Sequence, residues 1–264
     1  MFLVSLFDLF REFVEEPLRK CPRKKKQKKE KGHRINFSDS LFLLGGRVAR
    51  LRFVKLRALN KRSLAAACLE LSADPHLRVV HEKYGTPPLW DREQGFATLL
   101  QIILEQQVSL ASAKACFDKL AACLGDVTPE AVLSLTDDEL KTVGFSRQKT
   151  AYARHLSEAI LERRLELDRL HRLPDVEVKA ELIKLKGIGE WTSDIYLLMA
   201  LLRPDVMPKG DIALHAAWHK LSGEARPSSD EFLKIAERWA PYRSVAARLL
   251  WHFYLSEKAN KEAN

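Results

Sequence analysis

The sequence predicts an all-α domain over residues 60–258, preceded by a basic extension over 1–59 and followed by a short tail over 259–264. Three observations carry this. After residue 60, apolar residues recur at three- and four-residue spacing, the period of a helix with one buried face. Sustained period-two alternation, which would mark half-buried strands, does not occur in that stretch. Ser146, Ser228 and Ser229 stand where helices should begin and can cap them. The 264 residues are 46% apolar and 30% charged, which allows a sizeable core. Gly and Pro, at 11 each, exclude collagen-like and Pro/Gly-rich low-complexity chains.

Met1 to Val14 is apolar and aromatic, but Asp8, Arg11 and Glu12 interrupt it. Its charge follows the apolar stretch, the reverse of a secretory signal, so a short amphipathic helix or an unstructured leader is expected. The basic run over 23–29 repels itself and should stay solvated, as a poorly ordered tail or as an import or DNA-tethering segment. Phe37 to Leu59 holds one weak strand pattern or two. Helices are then expected at Ser63–Leu71, Pro75–Tyr84, Gly95–Glu105, Ser109–Leu124, Pro129–Leu135, Asp137–Val143 and Ser146–Glu162. Val176–Leu185, Glu190–Leu202, Ile212–Leu221, Ser229–Trp239 and Ser244–Ser256 complete the set. No internal repeat is evident.

The charge is unevenly spread. Residues 1–62 hold 18 Lys and Arg against 6 Asp and Glu, net +12, and the remainder holds 26 against 29, net −3. A basic tail suits nucleic acid or another acidic surface, while the folded part gives no bulk electrostatic signal. Any nucleic-acid site there must rest on local motifs. The longest apolar run, Ile195 to Leu202, is far too short to span a membrane. Cysteines at 21, 68, 116 and 123 form no CxxC pair, so reduced thiols are expected, with neither a zinc ribbon nor a disulfide scaffold.

The most informative segment runs from Leu182 to Ser193. One helix should end near Leu185 and another begin near Glu190, joined by Gly187-Ile188-Gly189. Two glycines one residue apart permit positive φ and leave the backbone uncovered, and Ile188 can plug the gap between the helices. The N–H groups of the turn and of the next helix would then face outward as a phosphate site needing little side-chain charge. An ordinary helical hairpin with a glycine C-cap is the alternative on spacing alone. Twenty residues after Trp191, Pro208-Lys209-Gly210-Asp211 places a carboxylate at the start of an apolar helix, where a plain N-cap is again the alternative.

Taken together, Leu185, Gly187, Ile188, Gly189, Pro208, Gly210 and Asp211 resemble the signature of the helix-hairpin-helix DNA glycosylase superfamily. Gly95-Phe96 through Gln106-Gln107-Val108-Ser109 is similar to the helix and wedge loop of its alkyladenine branch, typified by 3-methyladenine-DNA glycosylase II. Gly144-Phe145-Ser146 with Lys149, and Trp239-Ala240-Pro241-Tyr242-Arg243 followed by Trp251, match two further segments of that branch. The likeness covers about residues 60–255. It implies a two-subdomain helical fold and base excision repair of alkylated purines of the 3-methyladenine and 7-methylguanine type.

The resemblance also implies roles. Asp211 would be the catalytic carboxylate. Trp191 and Trp251 would line an aromatic pocket for a cationic base. Leu185, Gly187, Ile188, Gly189 and Thr192 would form the DNA-binding hairpin. Gln107, with Gln106 beside it, would be the wedge filling the hole left by a flipped nucleotide. Lyase members carry a lysine two residues after the second hairpin glycine. Trp191 stands there, so a monofunctional hydrolase is expected. No cysteine follows Cys123, so no iron–sulfur cluster is expected, nor any cofactor or catalytic metal. The expected partner is damaged double-stranded DNA, met by a monomer that leaves an abasic site for downstream repair enzymes. Its compartment would be cytoplasm and nucleoid in a bacterium, or the nucleus in a eukaryote. Two other readings stay open. Asp211, His215 and His219, at i, i+4 and i+8, could make a metal-dependent hydrolase. The hairpin could also belong to a DNA-binding module without chemistry.

Overall fold

The computed structural model describes residues 58–262, and every regular element among them is helical. The leader, the basic run and nearly all of Phe37 to Leu59 lie outside the described residues. The helices are α1 (Lys61–Leu71), α2 (Pro75–Tyr84), α3 (Phe96–Glu105), α4 (Leu110–Leu124), α5 (Pro129–Ser134), α6 (Asp137–Thr142) and α7 (Arg147–Leu161). There follow α8 (Leu167–Leu170), α9 (Asp175–Ile183), α10 (Glu190–Ile195), α11 (Ile212–Ser222), α12 (Ser229–Ala236) and α13 (Arg243–Glu262). A π turn, Tyr196–Ala200, continues α10, and a 3₁₀ turn, Glu237–Trp239, continues α12.

Caps explain most boundaries. Asn60 accepts from the Ser63 backbone while the Ser63 hydroxyl accepts from Asn60 N–H, so α1 begins two residues before the expected Ser63 start. Thr136 with Glu139 and Ser228 with Glu231 form the same reciprocal box. Leu59, expected in the extension, belongs to the body: it is buried and its N–H donates to Leu202 O at 2.8 Å. At the other end α13 carries the fold past residue 258.

The chain divides into two packed groups. The first and last helices (α1, α2, α11 and α13, with α12 through its 3₁₀ turn) pack together, while in the middle of the chain α5 and α6 pack on α7 and α9 packs on α10. Helix α3 touches α4, α7, α10 and the π turn, so it joins the helices of the middle of the chain to one another. One continuous apolar cluster fills both groups. Trp218, Trp239 and Trp251 are among its largest members, and removing one such side chain typically costs about 3–5 kcal/mol.

Arg248 is a fully buried cation in this core. Its Nε donates to Leu89 O at 2.9 Å, Nη1 to Ser244 O at 3.1 Å and Nη2 to Leu198 O at 2.8 Å. Three carbonyls replace the water it lost, although burial still pulls its pKa down to about 9. Because Leu198 lies in the π turn, this arginine ties α10, α13 and the 85–95 loop together.

Candidate active site and nucleic-acid interface

The site forms where α9, α10, α11 and α13 meet. Leu185 N–H bonds Leu182 O and Ile188 N–H bonds Leu185 O, which closes the turn after α9, and Leu185 and Ile188 are both buried. The two glycines differ. Gly187 has φ +97°, and a Cβ there would lie 2.3 Å from the Tyr152 ring, so glycine is required for conformation and for space. Gly189 has φ −105° and a Cβ there would meet nothing within 4 Å. Positive φ, expected as available to both glycines, is used only by Gly187. Gly189 is exposed, and as N-cap of α10 it offers no side chain to the first N–H groups of that helix. No side chain therefore caps α10 at this exposed end.

Asp211 is the N-cap of α11 and is only 3% exposed. Its Oδ1 accepts from Leu214 N–H at 3.0 Å and from Trp251 Nε1–H at 3.3 Å. Its Oδ2 accepts from Trp191 Nε1–H at 3.0 Å. The N-cap reading is thus correct as geometry, but it leaves out two indole donors from separate helices. Each carboxylate oxygen is oriented by one tryptophan. Trp251 is 0% exposed and meets Asp211 through its N–H, whereas Trp191 is partly exposed.

The loop that delivers Asp211 is tied down along its length. Val206 N–H donates to Ser244 Oγ at 2.9 Å, and that hydroxyl donates to Val206 O at 3.1 Å. Arg243 grips Asp205 with two nitrogens, both at 2.8 Å. Asp194, buried on α10, accepts Lys209 N–H at 3.2 Å and pairs with Lys179 Nζ at 2.8 Å. Its burial raises its pKa against the pull of Lys179. Thus the hairpin helix and the loop that carries Asp211 form one unit, fixed relative to each other two residues before Asp211.

The glutamines separate in role. Gln107 is exposed at φ +58°, an unusual conformation for a residue with a side chain, at the tip following α3. Gln106, expected with it in the wedge, turns inward: its Nε2 donates to Gly187 O at 2.8 Å and to Thr192 Oγ1 at 2.8 Å. These bonds occupy the amide and join the loop to the hairpin. Thr192, buried, serves the hairpin as this acceptor. Beneath the loop, Lys149 Nζ donates to Leu104 O, satisfying an otherwise orphaned carbonyl at the end of α3. Buried Glu105 pairs with Arg92 at 3.0 Å.

The metal reading lacks its geometry. His219 is exposed and bonded to Glu224 O, while His215 is buried against Phe232, with burial lowering its pKa. Among the described residues no three His, Cys, Asp or Glu side chains could hold a metal ion together. Sequence reasoning missed Arg248, Asp194, Arg92 and Glu105. Arg248 had a visible signal: it interrupts the apolar run Val245 to Trp251 three residues before a site tryptophan. The others are single charges whose partners lie far off in sequence.

Comparison with known proteins identifies the family and the fold. Residues 100–241 match the model of the HhH-GPD superfamily base excision DNA repair proteins. The fold overlays a DNA-3-methyladenine glycosidase from Bacillus halodurans with TM-score 0.64 and 28% identity, covering 77% of this chain and 95% of that one. It overlays the 3-methyladenine DNA glycosylase of Schizosaccharomyces pombe, solved in complex with abasic DNA, with TM-score 0.68 and 26% identity, covering 73% and 97%. A DNA-3-methyladenine glycosylase of Bacillus subtilis (strain 168) is 27% identical over 198 residues, 68% of this chain and 63% of the relative. The aligned region is therefore under two thirds of that relative's length. With the family match spanning more than half of its residues, this chain belongs to the HhH-GPD superfamily of base excision DNA repair proteins.

Proposed function

We propose that the protein is a monofunctional DNA glycosylase that flips alkylated purines out of duplex DNA and hydrolyses their N-glycosidic bond. The observation that carries this is the buried Asp211 carboxylate, held by two indole N–H groups beside a hairpin whose second helix begins at exposed Gly189 without a side-chain cap. The 3-methyladenine glycosylase activity for which the Bacillus halodurans, Bacillus subtilis and fission-yeast relatives are named supports the choice of substrate.

On this reading the hairpin grips phosphate through backbone N–H groups, which needs no net positive charge on the domain. Gln107 enters the stack as the nucleotide leaves it, while Gln106 transmits its position to the hairpin. The glycosidic electron pair leaves with the base, easily when that base is already cationic. The sugar acquires oxocarbenium character, which the Asp211 charge stabilises. Oδ1 already accepts two N–H groups and Oδ2 only one, so Oδ2 keeps the lone pair that can orient the attacking water. Trp191 occupies the position where a lyase would carry its amine, and its indole cannot form a Schiff base. The protein acts as a monomer on damaged duplex DNA and leaves an abasic site for downstream enzymes.

The test is incubation with methylated duplex DNA. Free methylpurines should appear, and strands should break only after alkali opens the abasic sites. No base release from 3-methyladenine or 7-methylguanine DNA would leave the non-catalytic DNA-binding reading. Strand cleavage without alkali would overturn the monofunctional assignment.

A further inference from the structure

We propose that Trp90 is a positioning residue for Asp211, acting through Trp251, and that Leu89–Arg92 is the strap that holds it there. This rests on Asp211 being the catalytic carboxylate. Trp90 has φ +48°, a region that a bulky residue enters only when its surroundings force it. Both of its flanks are pinned. Leu89 O accepts from buried Arg248, and Arg92 N–H donates to Met199 O at 3.0 Å. The Arg92 guanidinium also pairs with Glu105. Backbone strain held this firmly from both sides characterises functional positions.

The strain places the Trp90 ring against Trp251. Trp90 is 6% exposed, and its ring stands edge-on to that of Trp251 at 6.4 Å and 68°. Trp251 in turn reaches Asp211 Oδ1 at 3.3 Å, the long end of a hydrogen bond, where a small tilt breaks the contact. The Trp90 ring limits that tilt. The two carboxylate oxygens are then oriented from different directions, Oδ2 by the hairpin through Trp191 and Oδ1 by the strap through Trp251. The strap's far end, Arg92 on Glu105, lies directly before Gln106 and Gln107, so the same four residues also support the wedge loop.

The test uses the full chain with Trp90→Gly, which removes the ring and relieves the backbone, Trp90→Phe, which keeps a ring, Trp251→Phe, and the double variant Trp90→Gly with Trp251→Phe. Single-turnover release from methylated duplex should fall about tenfold in Trp90→Gly, the scale of losing a hydrogen bond to a charged group. Half-saturating DNA should be unchanged, and Trp90→Phe should recover most of the rate. The double variant should be no slower than Trp251→Phe alone, because both substitutions break one contact. The indole ¹H–¹⁵N resonance of Trp251 should move in Trp90→Gly and stay in Trp90→Phe. Additive losses in the double variant, an unaltered rate in Trp90→Gly, or a loss confined to KM would overturn the proposal. If Trp90→Gly does not fold, Trp90→Leu takes its place with the same expectations. A parent that releases no base defeats the functional reading instead. The Trp251 resonance then still decides, since an unmoved signal overturns the strap.

Discussion

Replacing Asp211 by Asn probes the charge at the centre of the site, and the structure shows that the exchange is not shape-neutral. All three partners of the carboxylate are N–H donors. An asparagine amide can face its oxygen to one side only, and its NH₂ must then meet another donor. The cheaper orientation keeps Leu214 and Trp251 on the oxygen and sets NH₂ against Trp191 Nε1, leaving one N–H unsatisfied. That costs about 1–3 kcal/mol, or several degrees of melting temperature at roughly 2–4 °C per kcal/mol for a domain of this size. The catalytic loss is larger. Removing a preorganised charge from a transition state typically costs about 10²- to 10³-fold in rate, or about 2.7–4 kcal/mol. Single-turnover release of methylpurine from methylated duplex, binding to an abasic duplex, and thermal melting separate the two effects. Release should collapse, binding should persist, and melting should fall modestly. Base release within a few-fold of the parent would refute the role of Asp211, whatever happened to the melting temperature.

The hairpin glycines should respond differently. Gly187→Ala should impair folding, because its Cβ would strike Tyr152 at φ +97°. Gly189→Ala should melt like the parent yet bind every duplex more weakly, since phosphate contacts carry no sequence information; equal melting losses in the two variants would remove the distinction. Glu257 accepts from Lys83, Tyr84 and Lys220, which hold its carboxyl down at about 2. A depressed folded pKa gives stability that is present above the ordinary 4.5 and lost as pH falls towards 2. Glu257→Gln should therefore melt lower than the parent at pH 7, with the gap closing across that window; a gap that persists at pH 2 would show that packing, not charge, is responsible. Finally, a chain starting at Arg57 keeps Leu59 in the core and should release the same bases. Its DNA affinity should depend less steeply on salt, by about 0.9 in log–log slope for each phosphate the basic extension neutralises. An unchanged slope would show that the extension does not touch DNA.

The sequence by itself determined the helical class, most helix positions and the family, because those depend on local spacing and order. The three- and four-residue periodicity needs no partner to be visible, and Gly187-Ile188-Gly189 followed by Pro208-Lys209-Gly210-Asp211 is a pattern in one dimension. Boundaries shifted where a cap competed with periodicity, as when Asn60 rather than a later residue opened α1. The tertiary structure decided what each site residue touches. It separated Gly187, which cannot carry a Cβ, from Gly189, which can. It turned Gln106 inward to the hairpin while leaving Gln107 exposed one residue later. It also set the N–H groups of Trp191 and Trp251 on the two oxygens of one carboxylate, although they lie 20 and 40 residues from Asp211. A buried hydrogen bond depends on where two distant side chains come to rest, and local spacing holds no record of that distance. Asp194 and the strained Trp90 were hidden for the same reason, and Arg248, visible as a charge within an apolar run, still hid its three carbonyl partners: their meaning lies in groups that only the folded chain brings near.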